Sequence, residues 1–197
     1  MTPNGFRAFI TGYSGVGKSV AVNAIGEFLG LPIKGGVIRR DPSLQQAAYS
    51  QAYIDIHISH GPYICERSVL DVLAWTKDYR GVMYLVGSKV PPPSVIVIPP
   101  LPTEDHVRSH LSVWTGDPVR RLAFVRRWEE DTSMSDDAFA SRLAAQFVSD
   151  YAFIAVAASE IGWPLVHARS ANGDYFSWQL DANAIVADFY RRSSNGQ

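Results

Sequence analysis

Short apolar runs alternate along this chain with stretches of helical periodicity. Each run stops at glycine, proline or a polar residue, as buried strands do, and the stretches between them are typical of amphipathic helices. The predicted strands are 6–11, 32–38, 63–65, 95–98 and 165–166, and the predicted helices are 19–29, 43–59, 68–77, one beginning at 104, 136–161 and 178–191.

This alternation predicts an α/β fold, a three-layer sandwich in which a five-stranded parallel sheet is covered by helices on both faces. The 197 residues fit a single domain spanning 1–197. Within that domain, the polar and arginine-rich segment at about 115–135 is predicted to be a mobile lid.

Composition narrows the class of protein. A formal net charge of -1 gives no sign of a general nucleic-acid binder. Of the 18 basic residues four are lysine and the remaining 14 arginine, which suits bidentate recognition of phosphate, although high-GC coding explains that total equally well. The single Cys65 excludes an internal disulfide. With no signal-peptide pattern and no apolar run of the ~20 residues that span a bilayer, we expect a cytoplasmic protein that does not enter membranes.

A phosphate-binding loop follows the first predicted strand and opens the first predicted helix. Glycines let its backbone amides turn toward a phosphate, and the helix dipole faces the same anion. Lys18 is placed to reach the β- and γ-phosphates, and the Ser19 hydroxyl to ligate Mg²⁺. The sequence therefore predicts ATP and Mg²⁺ as cofactors, bound by Gly12, Tyr13, Ser14, Gly15, Val16, Gly17, Lys18, Ser19 and Val20.

A second motif, Glu66-Arg67-Ser68, comes directly after the third strand. The carboxyl ends of neighbouring parallel strands open onto one crevice, so these residues are expected beside the phosphate loop. There Glu66 can hold Mg²⁺ or its water, and Arg67 can clamp a second phosphate. The simpler alternative is that the motif only begins a helix, where the negative charge of Glu66 is favourable and an ion pair with Arg67 is incidental.

The sequence resembles the thymidylate kinases and, more broadly, the related deoxynucleoside kinases. Glu66-Arg67-Ser68 has the deoxynucleoside-kinase form of the family's third-strand motif, and Ala74-Trp75 follows it at the matching distance. Four other segments match. They are Arg40-Asp41-Pro42 after the second strand, the pattern of proline, apolar strand and proline-containing helix start at 93–108, Arg127-Trp128-Glu129 in the lid, and the helix at 139–151.

The resemblance implies a P-loop kinase with a lid, in which Arg67 and Arg40 hold the acceptor and Glu66 acts in the outer shell of the metal. Asp41 is a candidate to accept a proton or hydrogen bond from the acceptor. One or two lid arginines are expected to close over the transferring phosphoryl group, or else to pair with nearby acids on a solvated helix. These arginines are Arg120, Arg121, Arg126 and Arg127.

Aromatic residues near the acceptor side have two equally good interpretations. One of these residues could stack on the substrate base, or they could belong to the core. They are Trp75, Tyr49, Tyr53 and Tyr79. The segment 168–174 is expected to hold the adenine. His57 and His60 are predicted to be surface or helix-capping residues rather than metal ligands.

The leading hypothesis is an ATP-dependent kinase for a deoxynucleoside monophosphate, thymidylate-like or a modified pyrimidine. Two rivals phosphorylate a hydroxyl, either of a nucleoside or of a hydroxymethylated base in DNA, and the near-neutral charge disfavours DNA. A rival of another class is an ATPase or switch module. Ser43-Leu44-Gln45 and Pro99-Pro100 depart from the family pattern, so the acceptor stays open. The resemblance also suggests a homodimer.

Overall fold

The computed structural model describes residues 5–12, 16–35, 46–76, 80, 84, 86, 90–115, 135–171 and 173–195. Within these ranges the side chains of 46–50, 75–76, 110–115 and 136 are not described. No helix in the described ranges is both long enough and apolar enough to cross a membrane.

Five strands form one parallel sheet in the spatial order β2-β3-β1-β4-β5, which confirms the predicted α/β fold. The strands are β1 Arg7–Ile10, β2 Ile33–Lys34, β3 Tyr63–Glu66, β4 Val95–Ile98 and β5 Leu165–His167. The described helices are α1 Lys18–Leu29, α2 Gln46–Ile58, α3 Val69–Thr76, α4 Glu104–Thr115, α5 Asp136–Glu160 and α6 Trp178–Asn195, with a 3₁₀ turn at Tyr175–Ser177.

The sheet is buried on both faces, because successive side chains along its strands point alternately into two apolar cores. Ala8 and Ile10 of β1 belong to one core, together with residues of α1 and α6. Phe9, between them, belongs to the other core, with residues of α2 and α3. Helices therefore cover the sheet on both sides, as the unbroken apolar runs of the central strands predict.

The carboxyl ends of the strands lie along one edge of the sheet. Ile10 pairs in register with Glu66 on one side and with Val97 on the other. Ile98 in turn pairs with His167 of β5. The loops after β1, β3, β4 and β5 therefore leave the sheet at the same edge, where a ligand crevice is expected in this kind of fold.

The second strand is shorter than the predicted 32–38, ending at Lys34. Gly35 follows with a φ of 83°, a left-handed backbone that extended strands do not adopt. A Cβ at this position would lie 2.6 Å from Cys65 Sγ and 2.7 Å from the Glu66 carbonyl oxygen. Close approach to β3 therefore requires the glycine that ends the strand.

His57 is not a surface residue, so that part of its prediction is wrong. Its ring is fully buried and stacks on Phe9, with ring centroids 4.1 Å apart, and on Trp163. Its Nε2 accepts a hydrogen bond from the Val69 amide at 3.3 Å, where α3 begins, so its capping role is real. Burial, together with the charge of Arg7, lowers its pKa to about 3. His60 is exposed, as predicted.

Cys65 lies in the middle of the sheet on β3 and is fully buried. Burial, with the nearby charges of Asp71 and Glu66, raises the pKa of its thiol well above the ordinary range. Because the thiolate is the reactive form of cysteine, this thiol is inert in the folded protein.

Candidate active site

The phosphate loop joins the end of β1 to the beginning of α1. Thr11 N donates to the Val97 carbonyl at 2.9 Å, extending the sheet pattern beyond β1. Gly17 caps α1 with a φ of 85°, and a side chain there would run into Gln179. The predicted order of strand, glycine-containing loop and helix is therefore present. Tyr13, Ser14 and Gly15, in the middle of the loop, lie outside the described residues.

Lys18 is the first residue of α1, and only 3% of its surface is exposed. Burial, aided by the charge of Arg67 and opposed by Asp71 and Glu66, lowers the pKa of its ammonium group to about 7. A cation withdrawn from water is stabilised by an anion beside it, and the amino end of a helix favours the same anion. The burial of Lys18 therefore favours phosphate binding at this point.

Ser19 and Glu66 bring two oxygen donors together beside Lys18. Ser19 Oγ donates a hydrogen bond to Glu66 Oε2 at 2.7 Å. A hydroxyl and a carboxylate suit Mg²⁺, which takes few protein ligands and completes its shell with phosphate oxygens and water. The donor set thus fits the predicted metal, and these two residues would hold it. Val20 follows on α1, with its side chain 59% exposed.

Arg67 occupies a strained turn directly after β3. Its φ of 72° is in the left-handed region, which residues with a Cβ rarely adopt, and no other non-glycine residue in the described ranges has a positive φ. Its amide donates to the Ile10 carbonyl at 2.9 Å, and Nη1 donates to the Gly12 carbonyl at 3.3 Å. The guanidinium group therefore lies against the phosphate loop, as the motif predicts. Backbone strain of this kind persists where surrounding contacts fix it, often at functional sites.

Asp71, on the first turn of α3, belongs to this site although its sequence context did not mark it as a site residue. Its carboxylate is buried and accepts a hydrogen bond from the Gly12 amide at 2.8 Å. The spacing from Ser68 to Asp71 is that of a helix capping box, a signal readable from the sequence. The contact with Gly12 has no such local signal because the two residues are far apart in the chain.

The carboxyl-terminal helix also touches the phosphate loop. Trp178 is fully buried, and its Nε1 donates to the Val16 carbonyl at 3.2 Å. Gln179 Nε2 donates to the Gly17 carbonyl at 3.4 Å. The segment 168–174, whose role in holding adenine stays a prediction, is separated from this helix by the 3₁₀ turn Tyr175–Ser177. The Trp178 and Gln179 contacts were missed because nothing in the sequence pairs α6 with a loop near the amino terminus.

The structure describes only some of the residues predicted to bind the acceptor. Trp75 lies on α3, but its side chain is not described. Tyr53 is 1% exposed in the core, which favours the core interpretation, and its hydroxyl has no hydrogen-bond partner among the residues that the structure describes. The remaining predicted residues lie outside the described ranges: Arg40, Asp41, Tyr79, Arg120, Arg121, Arg126 and Arg127, with most of the lid at 115–135.

The sequence matches no protein-family model and no curated protein. Among solved structures, deoxyadenosine kinase from M. mycoides with bound dATP is similar over 93% of this chain and 98% of its own, with a TM-score of 0.61 and 13% identity. The same kinase with dCMP and a flexible dCDP covers 95% of this chain and 100% of its own, with a TM-score of 0.53 and 11% identity.

Shikimate kinase from Acinetobacter baumannii in complex with shikimate is also similar, over 94% of this chain and 93% of its own, with a TM-score of 0.52 and 10% identity. At such low identities the likeness shows the fold alone. This chain has the fold of the P-loop kinases, which confirms at the level of fold the resemblance found in its motifs.

Proposed function

We propose that this protein is an ATP- and Mg²⁺-dependent phosphotransferase whose acceptor is a deoxynucleoside monophosphate, thymidylate-like or a modified pyrimidine. The observation that carries the proposal is the meeting of Lys18, the Ser19–Glu66 pair and Arg67 at one edge of the sheet. The fold shared with small-molecule kinases supports the reaction class, and the presence of a deoxyadenosine kinase among them supports a nucleoside or nucleotide acceptor.

The donor half of the site uses this chain's phosphate loop. Lys18 and the loop amides hold the β- and γ-phosphates of ATP at the amino end of α1. Ser19 and Glu66 would hold Mg²⁺, Ser19 by its hydroxyl and Glu66 in the outer shell. The metal, when bound, neutralises charge on the phosphates.

The acceptor half begins at Arg67, which orients the acceptor phosphate beside the loop. An acceptor phosphate oxygen attacks the γ-phosphorus, the bond from that phosphorus to the bridging oxygen breaks, and ADP leaves with the electron pair. No strong base is needed, because the attacking oxygen is already anionic. Arg40, Asp41, Trp75, Arg126 and Arg127 complete this half in the proposal, as the family resemblance implies.

A nucleoside hydroxyl is the second candidate acceptor, favoured by the Ser19–Glu66 contact itself. Glu66 already accepts a hydrogen bond from a hydroxyl at 2.7 Å. The same carboxylate could therefore accept the proton that a hydroxyl acceptor must lose during transfer. The reaction would then yield a nucleoside monophosphate instead of a diphosphate.

Transfer of label from [γ-³²P]ATP to a panel of acceptors tests the proposal. The panel contains the deoxynucleoside monophosphates, the deoxynucleosides and hydroxymethylated DNA. Label on a monophosphate is the expected result, and label on a nucleoside selects the second candidate. Label released only as inorganic phosphate with every acceptor would overturn the kinase proposal in favour of an ATPase or switch.

A further inference from the structure

Asp71 carries more interactions than a helix cap requires. Its side chain is 1% exposed, and it accepts four hydrogen bonds from described residues. Two come from Ser68, whose amide and hydroxyl donate to Oδ2 at 2.7 and 3.2 Å. Those two are local and complete the capping box at the beginning of α3.

The other two hydrogen bonds come from a different part of the chain. The Gly12 amide donates to Oδ1 at 2.8 Å, and the Thr11 hydroxyl donates to Oδ2. Capping α3 needs neither of them. Thr11 is fully buried and Gly12 opens the phosphate loop, so a single carboxylate connects this loop to the helix after β3.

Arg67 lies between the two connected segments. On one side its amide is fixed by the Ile10 carbonyl, and on the other the Ser68 amide is fixed by Asp71. Its Nη1 lies 3.8 Å from Asp71 Oδ1 and donates to the Gly12 carbonyl. Its left-handed backbone is therefore fixed by Ile10 on one side and by Asp71, through the Ser68 amide, on the other, and Asp71 also holds the loop residue that the Arg67 side chain contacts.

We propose that Asp71 is a positioning residue that locks the beginning of the phosphate loop to the Arg67 turn and so fixes the spacing between the donor and acceptor halves of the site. Buried charged networks of this kind specify one geometry because leaving any donor unsatisfied is costly. The catalytic consequence rests on the proposed function, whereas the lock itself is a property of the protein without nucleotide.

The test compares Asp71→Asn with the wild type by amide hydrogen exchange at Gly12, by the Kd for Mg²⁺·ATP and, if label is transferred, by kcat and the KM values. Asparagine keeps the size of the side chain but replaces one acceptor with a donor that faces other donors. We expect Gly12 exchange to accelerate and the Kd to rise, each by at least about tenfold, with kcat falling more than the acceptor KM rises.

Two controls separate positioning from general loss of stability. Asp188→Asn makes the same substitution on the surface of α6, where Asp188 pairs only with Arg191 and Arg192 among described residues, and should leave all readouts within twofold. Val95→Ala leaves a cavity at the start of β4, at the opposite end of the sheet, and should lower the Tm with the Kd within twofold.

An Asp71→Asn protein with a lowered Tm but unchanged Gly12 exchange and Kd would reduce Asp71 to a helix cap and overturn the proposal. If that variant does not fold, Thr11→Val tests the proposal instead, because it removes only the hydrogen bond from the Thr11 hydroxyl to Asp71. The expected result is at least threefold weaker Mg²⁺·ATP binding with faster Gly12 exchange, and wild-type values for both would overturn it. If the wild type binds no Mg²⁺·ATP, the proposed function fails. Amide exchange at Gly12 in the variants still tests whether Asp71 fixes the beginning of the phosphate loop.

Discussion

Ser19 Oγ and Glu66 Oε2 lie 2.7 Å apart although 47 positions separate them in the sequence. The parallel pairing of β1 with β3 produces this contact by placing Ile10 opposite Glu66. The residue predicted to bind the metal directly and the residue predicted to act behind it are therefore in direct contact. Such preorganisation limits the rearrangement that binding of a metal nucleotide requires.

Glu66→Gln should lower kcat by about 10- to 100-fold and raise the Mg²⁺ concentration needed for half-maximal rate, because it removes a negative charge beside the metal ligand. Steady-state rates over a Mg²⁺ titration measure both effects. Glu160→Gln, at the exposed end of α5, is the matched control and should behave like the wild type. An unchanged Mg²⁺ titration in Glu66→Gln would remove this residue from the metal site.

Lys18→Met should abolish phosphoryl transfer, by at least about 100-fold, while leaving the Tm equal to or above that of the wild type. The reason is that the folded protein without nucleotide carries the cost of a buried ammonium group, visible in its lowered pKa. Transfer assays and thermal unfolding without nucleotide measure the two parts. A large fall in Tm would instead assign Lys18 a structural role.

Arg67→Ala should lose acceptor turnover far more than affinity for Mg²⁺·ATP, because the guanidinium group faces the loop from the acceptor side. Arg67→Gly removes the same side chain and also relieves the left-handed backbone, so it should be more stable than Arg67→Ala by about 1 kcal/mol. Calorimetric binding and denaturant unfolding test the pair. Equal loss of turnover and ATP affinity in both variants would contradict the assigned role.

Acid should destabilise the protein partly through His57. Its folded pKa of about 3 lies below the unfolded value of about 6.5, so the unfolded chain binds the extra proton between these values. Its stabilising contribution is complete above pH 6.5 and is lost as the pH falls, by roughly 1.4 kcal/mol per pH unit at most.

His57→Phe keeps a ring between Phe9 and Trp163 but cannot be protonated, and it should therefore flatten the fall in unfolding free energy between pH 7 and 5. His60→Asn, at an exposed position, is the control and should retain the wild-type slope. If His57→Phe and the wild type lose stability in parallel over this range, the buried imidazole is not the group responsible.

Trp178→Phe should weaken Mg²⁺·ATP binding several-fold as well as lower the Tm, since it removes the hydrogen bond that holds the Val16 carbonyl. Trp163→Phe is the matched control, because Trp163 is also buried but packs against His57 in the other core. It should lower the Tm without changing ATP affinity. Equal affinity in the two variants would show that α6 does not position the loop.

The sequence was enough to predict the sheet and the approach of the Glu66 motif to the phosphate loop, while the roles of these residues in binding ATP and Mg²⁺ stay predictions. Val95–Ile98 was delimited to the residue because a purely apolar run between Ser94 and Pro99 leaves no alternative. The Ser19–Glu66 contact followed from a motif at the end of each of two parallel strands. Short-range patterns and one rule of parallel topology were sufficient for both.

Residues whose role depends on distant partners that no motif marks could not be predicted. A histidine fits surface, cap or core equally well, and only the packing of Phe9 and Trp163 around His57 decides for the core. Asp71 was readable as a cap but not as a partner of Gly12. The single domain, the lid and its arginines, the acceptor's identity and the homodimer stay predictions.

The burial of Cys65 gives the wild-type chain a practical property. Since its one cysteine is shielded inside the sheet and holds its proton tightly, maleimide and iodoacetamide reagents should leave the folded protein unmodified. A cysteine introduced in the 115–135 segment would then be the sole labelling site. A fluorophore or spin label attached there would show whether this segment moves on ATP binding, without prior removal of any native thiol.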